Sequence, residues 1–184
     1  MTRIIAVSGS LRAGSFNTAL ARAAQRSAPQ GVQIEVATLH GIPLYDGDLE
    51  TQEGIPAAVL ALKEQILGAD GLLLVTPEYN NGVPGVFKNA IDWLSRADKV
   101  VVFGGLPVGV MGASMGGFGT LSSQHAWLPT LMALGTQVFS GATMLVSRAH
   151  TVFDADGGLA SDDTRKMLMD YLSAYAAFVQ AHGR

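Results

Sequence analysis

Short apolar runs alternate along this chain with longer stretches in which apolar residues recur every three or four positions. The runs at residues 4–7, 72–75 and 108–111 are continuous, which is typical of parallel strands covered on both faces. Residues 32–36 alternate apolar and polar side chains, which indicates a strand nearer the edge of a sheet. Residues 143–146 form the fifth predicted strand.

Each predicted strand is followed by a stretch with helical spacing. The predicted helices cover residues 15–27, begin near Pro56 and Pro84, cover residues 119–134, and begin again near Ser161. Proline suits the first turn of a helix, and a serine followed by two aspartates suits its positive end. Five strands interleaved with five helices predict βαβ units, a parallel sheet and a three-layer, doubly wound α/β sandwich.

The stretch between the second strand and the second helix is predicted to be a solvated loop. It contains Pro43 and Gly47, and its acidic residues 46–50 resemble a calcium-binding loop only superficially. Thr51 and Ala57 stand where an EF-hand needs glycine and glutamate. We therefore expect no calcium site here.

Composition limits the possible functions. The 184 residues are 48% hydrophobic and 15% charged with a net charge of −3, which predicts one globular domain over residues 1–184. This charge favours neither nucleic acid nor a membrane surface, and no apolar run approaches the roughly 18 residues of a membrane span. The absence of cysteine excludes disulfides and thiol chemistry, and we expect a soluble protein of the cytoplasm.

The turn after the first strand is suited to an anion. It carries Ser10, Arg12, Ser15 and Asn17 just before a helix, where backbone N–H groups and the helix dipole favour negative charge. Serine hydroxyls and an arginine fork suit a terminal phosphate, although no lysine follows a glycine as in a nucleoside-triphosphate loop. An ordinary turn in which Ser15 only caps the helix is the alternative.

The turn after the third strand, residues 77–85, contains two prolines, two glycines and Tyr79. Such a backbone path leaves the main chain free to approach a ligand closely, and Tyr79 is able to flank a planar ring. A rigid loop with a half-buried tyrosine is the alternative.

The turn after the fourth strand, residues 112–119, contains a literal G-x-S-x-G around Ser114. This pattern is also that of the nucleophile elbow of a serine hydrolase, which needs a later acid and then a histidine. One of four aspartates at 154, 156, 162 and 163 would be the acid, and His182 the base. Because His182 lies on the predicted C-terminal helix and not on a loop after a strand, the hydrolase is the weaker interpretation.

All three turns follow strands of one parallel sheet, so they are expected to meet at its carboxyl edge. Phosphate chemistry, a loop for a flat ring and small residues that admit close approach together predict a phosphorylated planar cofactor. Doubly wound sheets bind FMN at such a place.

Two motifs make the resemblance specific. They are Ser8-Gly9-Ser10-Leu11-Arg12 with Ser15 and Asn17, and Pro77-Glu78-Tyr79-Asn80 running through Val83-Pro84-Gly85 to Lys88-Asn89-Ala90-Ile91-Asp92-Trp93. The chain thereby resembles the NADPH-dependent FMN reductase family, which includes bacterial chromate and quinone reductases and azoreductase-like enzymes. The resemblance implies a flavodoxin-like fold with strand order 2-1-3-4-5 and helices on both faces, non-covalent FMN, and a homodimer or homotetramer.

The same resemblance assigns the cofactor-binding residues. Those implied for the phosphate are Ser10, Arg12, Ser15, Phe16 and Asn17, and those implied for the ring and ribityl chain are Pro77, Glu78, Tyr79, Asn80, Gly82, Ser114, Met115, Gly116 and Gly117. Residues 121–124 depart from relatives that carry an Ala-Arg pair there. No catalytic acid or base and no metal ligand is assigned.

The expected reaction has two halves at one flavin. NADPH or NADH delivers hydride to the flavin N5, and a quinone, azo compound, metal oxyanion or free flavin then takes the electrons in the same place. A flavodoxin-type electron carrier without turnover is the alternative among flavoproteins, although carriers of that kind are more acidic than this chain.

Overall fold

A central parallel sheet carries helices on both faces in the computed structural model, which describes residues 1–154 and 156–183. The strands are β1 (Thr2–Ser8), β2 (Val32–Ala37), β3 (Gly71–Val75), β4 (Pro107–Ala113), β5 (Gln137–Val138) and β6 (Leu145–Val146). The helices are α1 (Phe16–Arg26), α2 (Gly47–Glu53), α3 (Ala57–Leu67), α4 (Gly85–Phe103), α5 (Leu121–Ala133) and α6 (Asp162–His182), with a 3-10 turn at Ala149–Thr151. The strand order β2-β1-β3-β4-β5, with β6 beside β4 and every pair parallel, confirms the predicted flavodoxin-like α/β sandwich.

The sheet separates two apolar cores because successive side chains of a strand point to opposite faces. In β3, Leu73 and Val75 pack with the buried faces of α1 and α6, whereas Leu72 and Leu74 pack with α3, α4 and α5. Every residue of β3 is buried, which explains why its sequence is a continuous apolar run.

The prediction of one fifth strand at residues 143–146 is wrong in its extent. Two short strands pair with β4 instead: the Phe139 N–H donates to the Val108 carbonyl at 2.8 Å, and the Gly112 N–H donates to the Met144 carbonyl at 3.2 Å. Ser140, Gly141 and Ala142 lie between them, and these small residues have little strand propensity. The edge of the sheet beside β4 is therefore interrupted between β5 and β6.

Two tyrosines of α6 supply hydrogen bonds to carbonyl groups of β3 and β4. The Tyr171 hydroxyl donates to the Val110 carbonyl at 3.0 Å, and the Tyr175 hydroxyl lies 2.7 Å from the Leu72 carbonyl and 3.0 Å from that of Pro107. A Cβ at Gly109 would lie 2.9 Å from the Tyr171 hydroxyl, so only glycine admits α6 this closely. Tyr171 thus gives Val110 of β4 the donor that a continuous neighbouring strand would supply, whereas Tyr175 bridges β3 and β4.

These two phenols make stability depend on alkaline pH. Burial raises the pKa of both Tyr171 and Tyr175 above the ordinary value of 10.0. Their neutral form is therefore retained in the folded state, and its contribution is complete below pH 10 and lost as the pH rises further. We expect unfolding free energy to fall above pH 10 by up to about 1.4 kcal/mol per pH unit for each phenol.

The variant Tyr171→Phe separates this effect from other alkaline titrations. It should be less stable than the parent at pH 8 by about 1–2 kcal/mol, because the Val110 carbonyl loses its donor. Its stability should then decline less steeply between pH 10 and 11 in denaturant titrations. Equal slopes for parent and variant would contradict the assignment.

The acidic stretch after Pro43 is a helix, so its interpretation as a solvated loop is wrong. Asp46 caps α2 by accepting from the Asp48 N–H at 2.9 Å. The Glu50 carboxylate accepts from the Tyr45 hydroxyl at 3.0 Å and from Arg96 of α4 at 3.0 Å. These contacts fasten a short, otherwise exposed helix to the molecule.

The longest helices are α4 and α6, of 19 and 21 residues. Asp98 has a non-helical backbone inside α4 and accepts from the Val101 N–H at 3.1 Å, which starts a new helical segment there. The Ser161 hydroxyl caps α6 by accepting from the Thr164 N–H, as predicted. None of the helices in the described ranges is both long and apolar enough to cross a membrane.

Candidate functional site

A cleft of about 190 Å³ opens where the loops after β1, β3 and β4 meet at the carboxyl edge of the sheet. It is lined by Ser10, Arg12, Ser15, Phe16, Asn17, Pro77, Glu78, Tyr79, Ala113, Ser114 and Met115. Of the predicted residues, Asn80, Gly82, Gly116 and Gly117 belong to the same loops but do not line it. The cleft is smaller than the roughly 300–1,000 Å³ that is typical of small-molecule sites.

The loop after β1 is arranged around hydroxyl groups. The Ser15 hydroxyl caps α1, accepting from the Asn17 N–H at 3.2 Å and the Thr18 N–H at 3.3 Å. The Ser10 hydroxyl accepts from the Arg12 N–H at 3.3 Å. Both hydroxyls use lone pairs in these bonds and retain their protons as possible donors to a ligand.

Arg12 is an uncompensated cation beside these hydroxyls. Among residues 1–154 and 156–183, its guanidinium forms neither a hydrogen bond nor an ion pair. The backbone N–H of Phe16, at the positive end of α1, is likewise without a partner within the described chain. Free donors of this kind fit the phosphate of FMN.

Asn17 joins the first loop to the third. Its side-chain amide donates to the Ala113 carbonyl at 2.8 Å, and its amide oxygen accepts from the Ala113 N–H at 2.9 Å. The residue is buried, and both ends of its amide are engaged. Asn17 therefore connects the loop after β1 to the end of β4, although the two bonded residues are 96 positions apart in sequence.

The loop after β3 contains a tight hairpin. The Tyr79 N–H donates to the Gly82 carbonyl at 3.2 Å, and the Gly82 N–H donates to the Tyr79 carbonyl at 3.0 Å. Asn80 and Asn81 lie between them with φ of 51° and 59°, the left-handed pair of a type I′ turn, which asparagine tolerates. This hairpin leaves Tyr79 48% exposed beside the cleft.

Glu78 is directed toward the start of α5. Its carboxylate accepts from the Ser123 N–H at 3.0 Å, in the first turn of α5. The N-cap residue of that helix, Thr120, forms no capping hydrogen bond with its own side chain. A carboxylate is favoured at that positive helix end. Glu78 thus contributes both to the cleft lining and to the capping of α5.

The loop after β4 is fixed by its backbone. The Ser114 N–H donates to the Val146 carbonyl at 2.9 Å, and the Ala149 N–H donates to the Ser114 carbonyl at 3.0 Å. The Ser114 hydroxyl accepts from the Gly116 N–H at 3.2 Å. These bonds orient the loop toward the cleft.

The serine hydrolase alternative fails on geometry. His182 lies in the last turn of α6, bonded to the Phe178 carbonyl at 2.9 Å. The neighbouring Gln180 bonds to Thr2 at the start of β1, which places this end of α6 at the amino edge of the sheet. Ser114 is at the opposite edge, so the two side chains do not form a catalytic pair.

Sequence reasoning missed three contributors to the site. Ala113 carries no polar side chain, and its role lies in backbone groups that no pattern reveals. Thr76 and Ser123 support the loop after β3 through their hydroxyls. The only signals for them in the sequence are a hydroxyl at a strand end and another in the first turn of a helix. Across the described ranges, no cluster of three or more His, Asp or Glu side chains is placed to hold a metal ion.

Comparison with known proteins gives consistent results. A protein-family model described as NADPH-dependent FMN reductase matches residues 2–151. The chain is 41% identical to an NAD(P)H-dependent FMN reductase of Pseudomonas aeruginosa, over 97% of this chain and 95% of the other. It is 39% identical to a 2-hydroxy-1,4-benzoquinone reductase of a Burkholderia species, over 97% and 96%. Its fold matches FerB, an NAD(P)H:(acceptor) flavoenzyme oxidoreductase of Paracoccus denitrificans, with a TM-score of 0.89, 30% identity and full coverage of both chains.

Proposed function

Because the chain belongs to the NADPH-dependent FMN reductase family, we propose that its cleft holds FMN and passes electrons from NAD(P)H to small acceptors. The observation that carries this proposal is the uncompensated Arg12 guanidinium beside free backbone donors, at the edge where three loops meet. A terminal phosphate would satisfy those donors, and the loop after β3 would hold a flat ring.

Arg12 binds the phosphate together with the hydroxyls of Ser10 and Ser15 and the N–H of Phe16. Asn17 keeps the first and third loops at the spacing the cofactor needs. Two further sets of residues would hold the ring and ribityl chain: Pro77, Glu78, Tyr79, Asn80 and Gly82 in one loop, and Ser114, Met115, Gly116 and Gly117 in the other.

Bound FMN supplies the hydride acceptor and donor that the protein's own side chains lack. The protein contributes binding and orientation, and the unpartnered N–H groups of Glu78 and Asn80 are suited to the polar edge of the ring. Backbone donors placed there stabilise negative charge without a titratable group. No general acid or base is therefore assigned.

Flat acceptors suit the exposed side of this cleft. Tyr79 and Met115 of its lining are 48% and 61% exposed, and such side chains offer apolar area to an aromatic molecule. Quinones are the favoured class because one of the relatives is named a benzoquinone reductase. Azo compounds, metal oxyanions and free flavin are further candidates.

The purified protein tests the function directly. We expect an FMN absorption spectrum, bleaching by NADPH or NADH without oxygen, and recovery of the spectrum on adding a quinone. A flavodoxin-type carrier would bind FMN but not sustain NAD(P)H oxidation. A colourless protein that gains no activity from added FMN would overturn the proposal.

We further propose that the whole chain, residues 1–184, forms one FMN-binding domain of the cytoplasm that assembles as a homodimer or homotetramer. Exposed apolar residues on one side of α5 support assembly. They are Leu121, Leu128 and Met132, the last 73% exposed. Apolar positions of this spacing share one helical face.

The variant Met132→Glu is expected to lower the oligomeric mass measured by light scattering, because burying a carboxylate in an interface without a partner is costly. Met167→Glu, an equivalent change at an exposed methionine of α6, serves as the control and should leave the mass unchanged. A parent protein that is monomeric at micromolar concentration would contradict the assembly proposal.

A further inference from the structure

We propose that the first turn of α5 positions the ring loop, defined as residues 76–79, and that Ser123 is the central positioning residue. This inference rests on the proposed function, since the ring loop is the one expected to contact the FMN ring. In this inference α5 affects cofactor binding indirectly, by holding the ring loop, and not through contacts of its own with the cofactor.

The first observation is a buried hydroxyl cluster behind the ring loop. The Thr76 hydroxyl lies 2.9 Å from the Ser123 hydroxyl, 3.1 Å from the Trp127 indole nitrogen and 2.9 Å from the Pro77 carbonyl. Thr76, Ser123 and Trp127 are all completely buried. Water is thus excluded, and each polar group depends on the others.

The number of protons determines the direction of these bonds. The Trp127 nitrogen only donates, and a hydroxyl has one proton to give. Thr76 donates that proton to the Pro77 carbonyl, so the Ser123 hydroxyl must donate to Thr76 for all three bonds to form. Ser123 therefore acts on Pro77, a residue of the cleft lining, through Thr76.

The second observation is that Ser123 also holds the ring loop through its backbone. Its N–H donates to the Glu78 carboxylate at 3.0 Å. Side chain and main chain of one residue thus bind Thr76 and Glu78, two residues apart in the same loop. Two hydrogen bonds fix the orientation of the ring loop relative to α5, whereas a single one would allow the loop to rotate about it.

The third observation is that α5 is itself held in place. The Gln124 side-chain amide donates to the Thr120 hydroxyl at 3.1 Å and to the Met144 carbonyl at 3.0 Å. The first turn of α5 is thereby tied to the strand region beside β4. The ring loop is consequently attached to a helix that is itself bonded to the segment beside β4.

These attachments determine what remains available to a cofactor. The polar side chains of Thr76 and Glu78 and the Pro77 carbonyl are engaged by α5 or by each other, whereas the N–H group of Glu78 has no partner in the described chain. The direction of that free donor is set by α5. Loosening Ser123 should therefore misalign this N–H group without removing it.

The test compares Ser123→Ala with the parent and with Ser173→Ala, a matched change at an exposed serine of α6. FMN affinity is measured by fluorescence titration of the full-length apoprotein, and the bound state by visible circular dichroism. We expect Ser123→Ala to raise the FMN dissociation constant about 3- to 10-fold and to change the dichroism of bound FMN. Ser173→Ala should change neither.

A pair of Thr76 variants keeps the test decisive. Thr76→Ser retains the hydroxyl and should preserve both the FMN affinity and the dichroism of bound FMN. The isosteric Thr76→Val should lower the affinity and change the dichroism more than Ser123→Ala does. If Thr76→Val does not fold, the comparison of Thr76→Ser with Ser123→Ala still tests whether the hydroxyl contacts position the ring loop. Lower thermal stability of Ser123→Ala with unchanged affinity and dichroism would overturn the inference, whereas a parent protein that binds no FMN would overturn the proposed function instead.

Discussion

Replacing Arg12 with alanine is expected to weaken FMN binding by about 10- to 100-fold, the equivalent of losing one charge-assisted hydrogen-bonded contact. The expectation follows from the environment of the side chain. Its guanidinium has no protein partner in the described ranges, so nothing in the fold depends on it and the change removes ligand contacts alone. Thermal stability of the apoprotein should accordingly stay within about 0.5 kcal/mol of the parent.

Riboflavin provides the sharpest measurement, because it has the same ring and lacks the phosphate. The Arg12→Ala variant should bind riboflavin as the parent does, while its FMN affinity falls. Arg12→Lys should recover part of the loss, since lysine retains the charge without the planar fork. Equal losses for FMN and riboflavin would place Arg12 at the ring and contradict the phosphate assignment.

The substitution Gly112→Ala is expected to have the largest effect on folding, about 3 kcal/mol or more. A methyl group at this position would collide with the carbonyl oxygen of Thr76 and the hydroxyl of Thr120. Neither group moves easily. The Thr76 backbone is bonded to Met111 of β4, and the buried Thr120 hydroxyl is bonded to Gln124 at the start of α5. The result should be poor yield of folded protein or a strongly lowered unfolding midpoint.

Gly85→Ala is the matched control for this prediction. A methyl group at Gly85 meets no atom within 4 Å, and alanine favours the helix that begins there by up to about 1 kcal/mol. Denaturant titration of the two variants should therefore give changes of opposite sign. Similar stabilities would show that β4 and the ring loop separate more readily than their contact distance indicates.

The architecture is predictable from sequence because it follows from local patterns. The continuous apolar run at residues 72–75 indicates a strand buried on both faces, and the alternation at 32–36 indicates the edge strand that β2 is. The hydroxyls, arginine and tyrosine of the cleft lie in turns directly after such strands. Parallel topology alone then brings them to one edge of the sheet.

The features that escape prediction depend on contacts between distant residues. Nothing near Asn17 in the sequence indicates that its side-chain amide bonds to Ala113, 96 residues away. The helix α2 is held by Arg96 through Glu50, and its own sequence is too short and polar to indicate a stable helix. The interruption after β5 is tolerated because Tyr171 supplies a donor from the far end of the chain.

The tyrosines of α6 also bear on how the chain is made. They bond to carbonyl groups that lie 61 to 103 residues earlier in the sequence. At synthesis rates of about 5–20 residues per second, those carbonyls wait roughly 3 to 20 s for their partners to be translated. The face of the nascent sheet that α6 covers therefore stays open until α6 has been synthesised.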